Sequence, residues 1–102
     1  MEYLSFDPAA NSVRDTFAMM TRAIGPRPIA FASTVDAEGR PNLAPFSYFN
    51  VFSTVPPLAI FAPVRSGRTG RTKNTSDNCA ATGEVCINLL SYSMVYQQNL
   101  AS

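Results

Sequence analysis

Val13, Phe17, Met20 and Ile24 recur at helical spacing, and Ser12 with Asp15 three residues on forms a capping signal in front of them. Gly25 sits where a helix would end, with Pro26 directly after it. A short amphipathic helix over 12–24 is therefore expected, behind a lead-in broken by Asp7-Pro8. From Pro28 to Val35 the pattern switches to alternation. Ile29, Phe31 and Val35 share one face, while Ala30, Ala32 and Thr34 form a small-residue face that something can approach closely. Asp36 to Gly39 reads as a hairpin loop with glycine late in the turn, so the chain after it should return alongside 28–35.

That return stretch, Gly39 to Ser53, is interrupted by Pro41 and Pro45, and proline cannot donate to a central ladder. It then gathers Phe46, Tyr48, Phe49 and Phe52 around Ser47, Asn50 and Ser53. Apolar walls holding a few polar groups suit a planar cofactor. A strand followed by an aromatic-rich loop that fills a core is the plainer alternative. Pro56-Pro57 closes this loop, and Leu58 to Ala62 is a continuous apolar run, expected to be a strand buried on both faces.

Next comes a glycine-broken basic loop, 65–75, then a helix starting near Thr72 and running to about Thr82, closed by Gly83. Glu84 to Leu90 reads as a further strand, and Ser91 or Ser93 starts a third helix through Met94, Val95 and Gln98. Four strands and three helices make an α+β chain, mainly β, built on an antiparallel sheet or barrel. Four strands cannot close a barrel, so one edge calls for a partner or a further segment.

The 102 residues suffice for one small domain, taken as 1–102. With 46% hydrophobic and only 15% charged residues, an apolar patch covered in an oligomer is expected. The net charge of +1 offers no global attraction to nucleic acid or to an anionic membrane. There is no histidine, which removes Ser-His and Cys-His nucleophile pairs, histidine bases and most zinc sites. Cys79 and Cys86 lie seven apart, matching no metal or redox spacing, and no metal site is expected. Reduced thiols, the absence of a signal-like N-terminus and the absence of any span-length apolar run suggest a cytoplasmic protein.

The basic loop carries chemistry of its own. Arg65, Arg68, Arg71 and Lys73 place four cations within nine residues among Ser66, Gly67, Thr69, Gly70, Thr72 and Thr75. Glycines admit an anion to the backbone, arginines and hydroxyls bond its oxygens, and a following helix adds its dipole. The spacing is neither a Walker A loop nor G-x-G-x-x-G, and a solvated surface loop is an equal reading. Stacking of single-stranded nucleic acid on the aromatics is a minor alternative. The charge is confined to one loop, and the aromatics sit in one cluster, not along a strand face.

In order, Arg27-Pro28-Ile29-Ala30-Phe31, Asn42 to Asn50 (N-L-A-P-F-S-Y-F-N), Pro56-Pro57-Leu58, Lys73-Asn74-Thr75 and Thr82-Gly83-Glu84 resemble the flavin reductase-like FMN-binding split-barrel family, its flavoredoxin group in particular. The resemblance spans roughly residues 20–100. It implies an antiparallel split β-barrel with short helices that dimerises and holds FMN near the subunit interface. By the same resemblance, Phe46, Ser47, Tyr48, Phe49 and Asn50 line the flavin ring, while Arg65, Lys73, Asn74 and Thr75 bind the phosphate. Lys73-Asn74-Thr75 stands where Lys-Asp-Thr is more usual, which removes a negative charge near the phosphate. Arg27 is compatible both with facing the pocket and with a structural ion pair. Family members commonly continue for about as many residues again. The chain is thus expected to correspond to the N-terminal half to two-thirds of the domain, with its barrel incomplete alone.

The implied function is an oxidoreductase passing hydride or electrons between NADH or NADPH and flavin, or on to a small acceptor. The flavin itself would carry the chemistry, so no catalytic side chain is named. A flavin-binding or structural domain without turnover is the alternative.

Overall fold

β1 (Ala30–Val35) is the central strand of a three-stranded sheet. The structure, a computed structural model, describes residues 2–63 and 74–101. β2 (Pro41–Phe46) pairs antiparallel with β1 along its whole length, from Ala30 opposite Phe46 to Val35 opposite Pro41. β5 (Cys86–Asn88) pairs with the other edge of β1 through Phe31–Asn88, Ala32–Ile87 and Ser33–Cys86. The small-residue face does allow close approach: Ala30 and Ala32 are fully buried and Thr34 nearly so. Phe31 is buried as well, so both faces of this central strand are covered.

The hairpin between β1 and β2 is fixed by one carboxylate. Asp36 Oδ1 accepts from the backbone N–H groups of Glu38 and Arg40, each at 2.9 Å. Its Oδ2 lies 2.5 Å from Arg40 Nε, and Arg40 Nη2 also reaches Glu38 at 3.0 Å. Gly39 supplies the left-handed residue, with φ of 83°. The backbone N–H of Arg40, then its guanidinium, hold the Asp36 carboxyl below the usual aspartate range. A depressed folded-state pKa means that the support is present above the ordinary aspartate value and is lost as pH falls through the folded one. An NMR pH titration of the Asp36 carboxyl should therefore show a midpoint below that of a free aspartate. Asp36→Asn should remove that part of the acid sensitivity.

β3 (Phe49–Thr54) and β4 (Pro57–Phe61) form a separate two-stranded antiparallel sheet. This corrects the expectation of an aromatic loop: the described residues hold five strands, not four. The alternation there is obscured by a bulge. Val51 pairs with Ala59 and Ser53 with Leu58, leaving Phe52 as the extra residue. The expectation that 58–62 is buried on both faces is also corrected, since Leu58 and Ile60 are each 50% exposed. A continuous apolar run announces a surface that needs cover, and no described element supplies it to β4. The strand expected over 84–90 is likewise only three residues long.

Phe46 links the two sheets. It packs with Ala30 and Ala32, with Ala44, Phe49, Phe61 and Ile87 around them, and its ring centroid lies 5.4 Å from that of Phe61.

Among the described residues three α-helices accompany the sheets. α1 (Val13–Ala23) starts at Ser12, whose Oγ accepts from the Asp15 N–H at 3.0 Å. Its end differs from the expected glycine stop. Gly25 follows the C-cap but is not left-handed, and Arg27 Nη1 instead donates to Thr21 O at 2.5 Å and to Ile24 O. A guanidinium thus takes up one orphan carbonyl of the last turn and that of the C-cap. α2 (Asn74–Thr82) ends at Gly83, with φ of 70° and its N–H on Cys79 O at 2.8 Å, as expected. Its expected cap near Thr72 lies outside the described residues. α2 docks through polar bonds: Asn78 Nδ2 donates to Thr34 Oγ1 at 3.1 Å and Asn42 Nδ2 to Thr75 Oγ1 at 3.0 Å. Buried amides and hydroxyls paired in this way hold one orientation of the helix on the sheet. A 3-10 turn at Tyr92–Met94 leads into α3 (Val95–Ala101).

Candidate functional site

The bend at Ser47–Tyr48 separates the aromatic run into two destinations. Phe46, the last residue of β2, turns into the core, whereas Tyr48 faces α1. The Tyr48 hydroxyl hydrogen-bonds Thr21 Oγ1 at 2.7 Å, and its ring lies 6.1 Å from the Phe17 ring. On another side the Arg27 guanidinium carbon sits 5.5 Å from the Tyr48 ring centroid, a cation–π arrangement. Tyr48 O accepts from the Ala62 N–H at 2.9 Å, which fixes this residue against the chain leaving β4.

These contacts form one side of a cleft of about 350 Å³. α1 contributes Met20 and its C-cap Ile24, and the link to β1 contributes Pro26, Arg27 and Pro28. Tyr48, Phe49, Asn50 and Phe52 supply the facing wall, with Ile60 and Ala62 at the β4 side. The volume falls in the range of about 300–1,000 Å³ typical of small-molecule sites. A second hollow of about 350 Å³ lies beyond Tyr48 and Met20, which stand in the walls of both.

The polar groups of the cleft are few. Asn50 Oδ1 accepts from the Val51 N–H at 2.8 Å. Arg27 Nε is shut off from solvent and has no acceptor among the described residues. No carboxylate pairs with Arg27 among them, so the ion-pair role open to it from the sequence is not the one seen here.

Of the expected ring-lining residues, Tyr48, Phe49 and Asn50 meet in this cleft. Phe46 lies in the core, because full pairing of β2 sets it against Ala30. Ser47 is half-buried at the bend and does not line the cleft. Asn74 is exposed at the start of α2, and Thr75 is 1% exposed with its hydroxyl accepting from Asn42. Arg65 and Lys73, with Arg68 and Arg71, lie outside the described residues. Phe52, one of the four clustered aromatics, also lines the cleft, whereas sequence reasoning missed Met20, Ile24 and Ile60. The helical spacing of Met20 and Ile24 announced an apolar stripe, but not what it would face. Among the described residues no group of three or more acidic, cysteine or histidine side chains could hold a metal ion. No described helix is long and apolar enough to cross a membrane.

Residues 20–100 match the family model of the flavin reductase like domain. The uncharacterized protein YwrF of Bacillus subtilis is 38% identical over 78 residues, which cover 76% of this chain and 37% of that protein. An uncharacterized protein of Halalkalibacterium halodurans is 32% identical over 99 residues, covering 97% of this chain and 47% of that one. Among solved structures, nitrilotriacetate monooxygenase component B from Bacillus cereus superposes with a TM-score of 0.89 at 35% identity, covering 98% of this chain and 50% of its own. The Pseudomonas fluorescens 2-nitrobenzoate 2-nitroreductase NbaA superposes with a TM-score of 0.81 at 26% identity, covering 96% and 46% respectively. The chain thus spans less than half the length of these curated relatives, and both solved structures share its fold.

Proposed function

This chain belongs to the flavin reductase-like family, and from that premise we propose that it binds FMN as part of an oxidoreductase passing hydride or electrons between NADH or NADPH and flavin, or on to a small acceptor. The observation that carries the proposal is the convergence of Tyr48, Phe49 and Asn50 on one apolar cleft. The solved proteins with the same fold are by name a monooxygenase component and a nitroreductase, both redox proteins.

The residues present fit a flavin ring. Aromatic and aliphatic side chains supply apolar walls, with the Arg27 and Asn50 side chains the charged and amide groups among them. When bound, the flavin supplies the hydride and electron chemistry; the protein binds it, orients it and excludes water. In this proposal Arg65, Lys73 and Asn74 hold the phosphate. Thr75, sealed against Asn42, fixes the first turn of α2 on β2. Val51, Phe52, Leu58 and Ile60 expose apolar surface on β3 and β4, which supports a homodimer as the working assembly.

Purified protein should quench FMN fluorescence at micromolar concentration and oxidise NADH or NADPH with the flavin bound. Flavin binding without oxidation would select a binding domain without turnover, and a failure to bind would remove the proposal. Lys73→Ala should weaken FMN by about tenfold, the scale of one charge-assisted phosphate contact. It should leave riboflavin, which has no phosphate, nearly unchanged. Equal losses for the two ligands would move Lys73 away from the phosphate.

A further inference from the structure

Two apolar surfaces lie uncovered at the N-terminal end of the fold, one projecting and one hollow. Residues 2–6 precede the 3-10 turn at Pro8–Ala10 and belong to no helix or strand. Within this arm Leu4 is fully exposed and Tyr3 is 84% exposed. The hollow is the one beyond Tyr48, walled by Pro8, Val13, Phe17 and Met20. Val13, Phe17 and Met20 carry the apolar stripe of α1, yet each is more than half exposed. The exit of the arm is pinned beside the hollow. Asp7 Oδ1 accepts from the Ala9 N–H at 2.9 Å, and Asp7 O accepts from the Ala10 N–H at 3.0 Å and from Asn11 Nδ2 at 2.8 Å. With the exit fixed in this way, no residue of the arm lines the hollow of its own chain.

We propose that a second copy of this chain covers the hollow with its N-terminal arm, so that Tyr3 and Leu4 of each copy seat against Val13, Phe17 and Met20 of the other. The inference rests on the homodimer named above and not on flavin. The area points to a second copy. The chain exposes 8333 Å², whereas a compact monomer of its 11.0 kDa exposes about 5,600 Å² by the usual scaling of surface with mass. The surplus of roughly 2,700 Å² is several times the ~800 Å² per partner that a standard interface buries. The geometry suits two-fold symmetry. Arm and hollow belong to one region of one chain, so a single axis satisfies both arms and both hollows with the same contact. The seated arm also backs the Tyr48 ring on the side away from the cleft, since Tyr48 stands in both walls.

Leu4→benzoylphenylalanine, mixed with an isotope-labelled wild-type copy and irradiated, reports where the arm lies. Cross-links between labelled and unlabelled chains should map to Val13, Phe17 or Met20. Leu4→Asp should weaken self-association about a hundredfold in sedimentation equilibrium, since each dimer buries this leucine twice. The residue is fully exposed in the single chain, so its replacement leaves folding intact. Cross-links to the hollow within one chain would mean that the arm covers its own hollow, and would overturn the exchange. A wild-type dimer that cross-links elsewhere, or that Leu4→Asp does not weaken, overturns the arm contact and leaves the homodimer standing. A wild-type monomer overturns both, whatever its affinity for flavin.

Discussion

Replacing Phe46 by alanine should cost about 3–5 kcal/mol of folding stability, the usual range for truncating a buried phenylalanine. Phe46 is 5% exposed, stands opposite the fully buried Ala30 and stacks on Phe61 of the other sheet. The hydrophobic core of the described residues is small, consisting of Ala30, Phe31, Ala32 and Phe46. The buried neighbours Ala30 and Ala32 cannot swing in to fill the space, so any relaxation falls to the half-buried Phe49, Phe61 and Ile87 around it. Against a typical total of about 5–15 kcal/mol, that loss leaves little margin. Urea unfolding monitored by far-UV circular dichroism would measure it, with Phe46→Leu expected to cost roughly 1.5 kcal/mol or less. If Phe46→Ala folds normally and loses only flavin affinity, Phe46 belongs to the ring pocket that the resemblance implies and not to the core.

Phe46 also shows where sequence ceased to inform. The β1–β2 hairpin is legible because Asp36 and Gly39 carry its turn chemistry within four residues. The start of α1 and the end of α2 are legible for the same reason, through Ser12 and Gly83. β3 was hidden by the bulge at Phe52, which breaks the alternation that identifies a strand. Of the aromatic cluster, Tyr48, Phe49 and Phe52 line one cleft. Yet Phe46 and Tyr48, two residues apart, go to different places because the chain bends between them. Sequence leaves Arg27 open between pocket and ion pair, since its contacts depend on carbonyls exposed at the end of α1 and on a ring twenty-one positions away. The resemblance to the family assigns Lys73 and Thr75 to the phosphate. Only the docking of α2 on β1 and β2 reveals that the Thr75 hydroxyl meets Asn42.

Tyr48 is the position where fold and site depend most on one side chain, and Tyr48→Ala should weaken flavin binding by about 30-fold. That corresponds to about 2 kcal/mol, the scale of a central aromatic anchor. The truncation removes one wall of the cleft and merges it with the hollow beyond, because Tyr48 separates the two. It also removes the contacts with Thr21 and Phe17 that hold α1, none of whose residues is buried. Tyr48→Phe distinguishes these effects. It keeps the wall and the ring contacts with Phe17 and Arg27, and loses only the 2.7 Å bond to Thr21. Its cost should be about 1 kcal/mol of local stability, the net worth of one hydrogen bond. That cost would appear as faster amide exchange in α1 with flavin affinity changed by less than about fivefold, as the same scale implies. If Tyr48→Phe weakens flavin as much as Tyr48→Ala, the docking of α1 governs binding and the ring surface does not. If neither variant alters it, the cleft beside Tyr48 is not the flavin site.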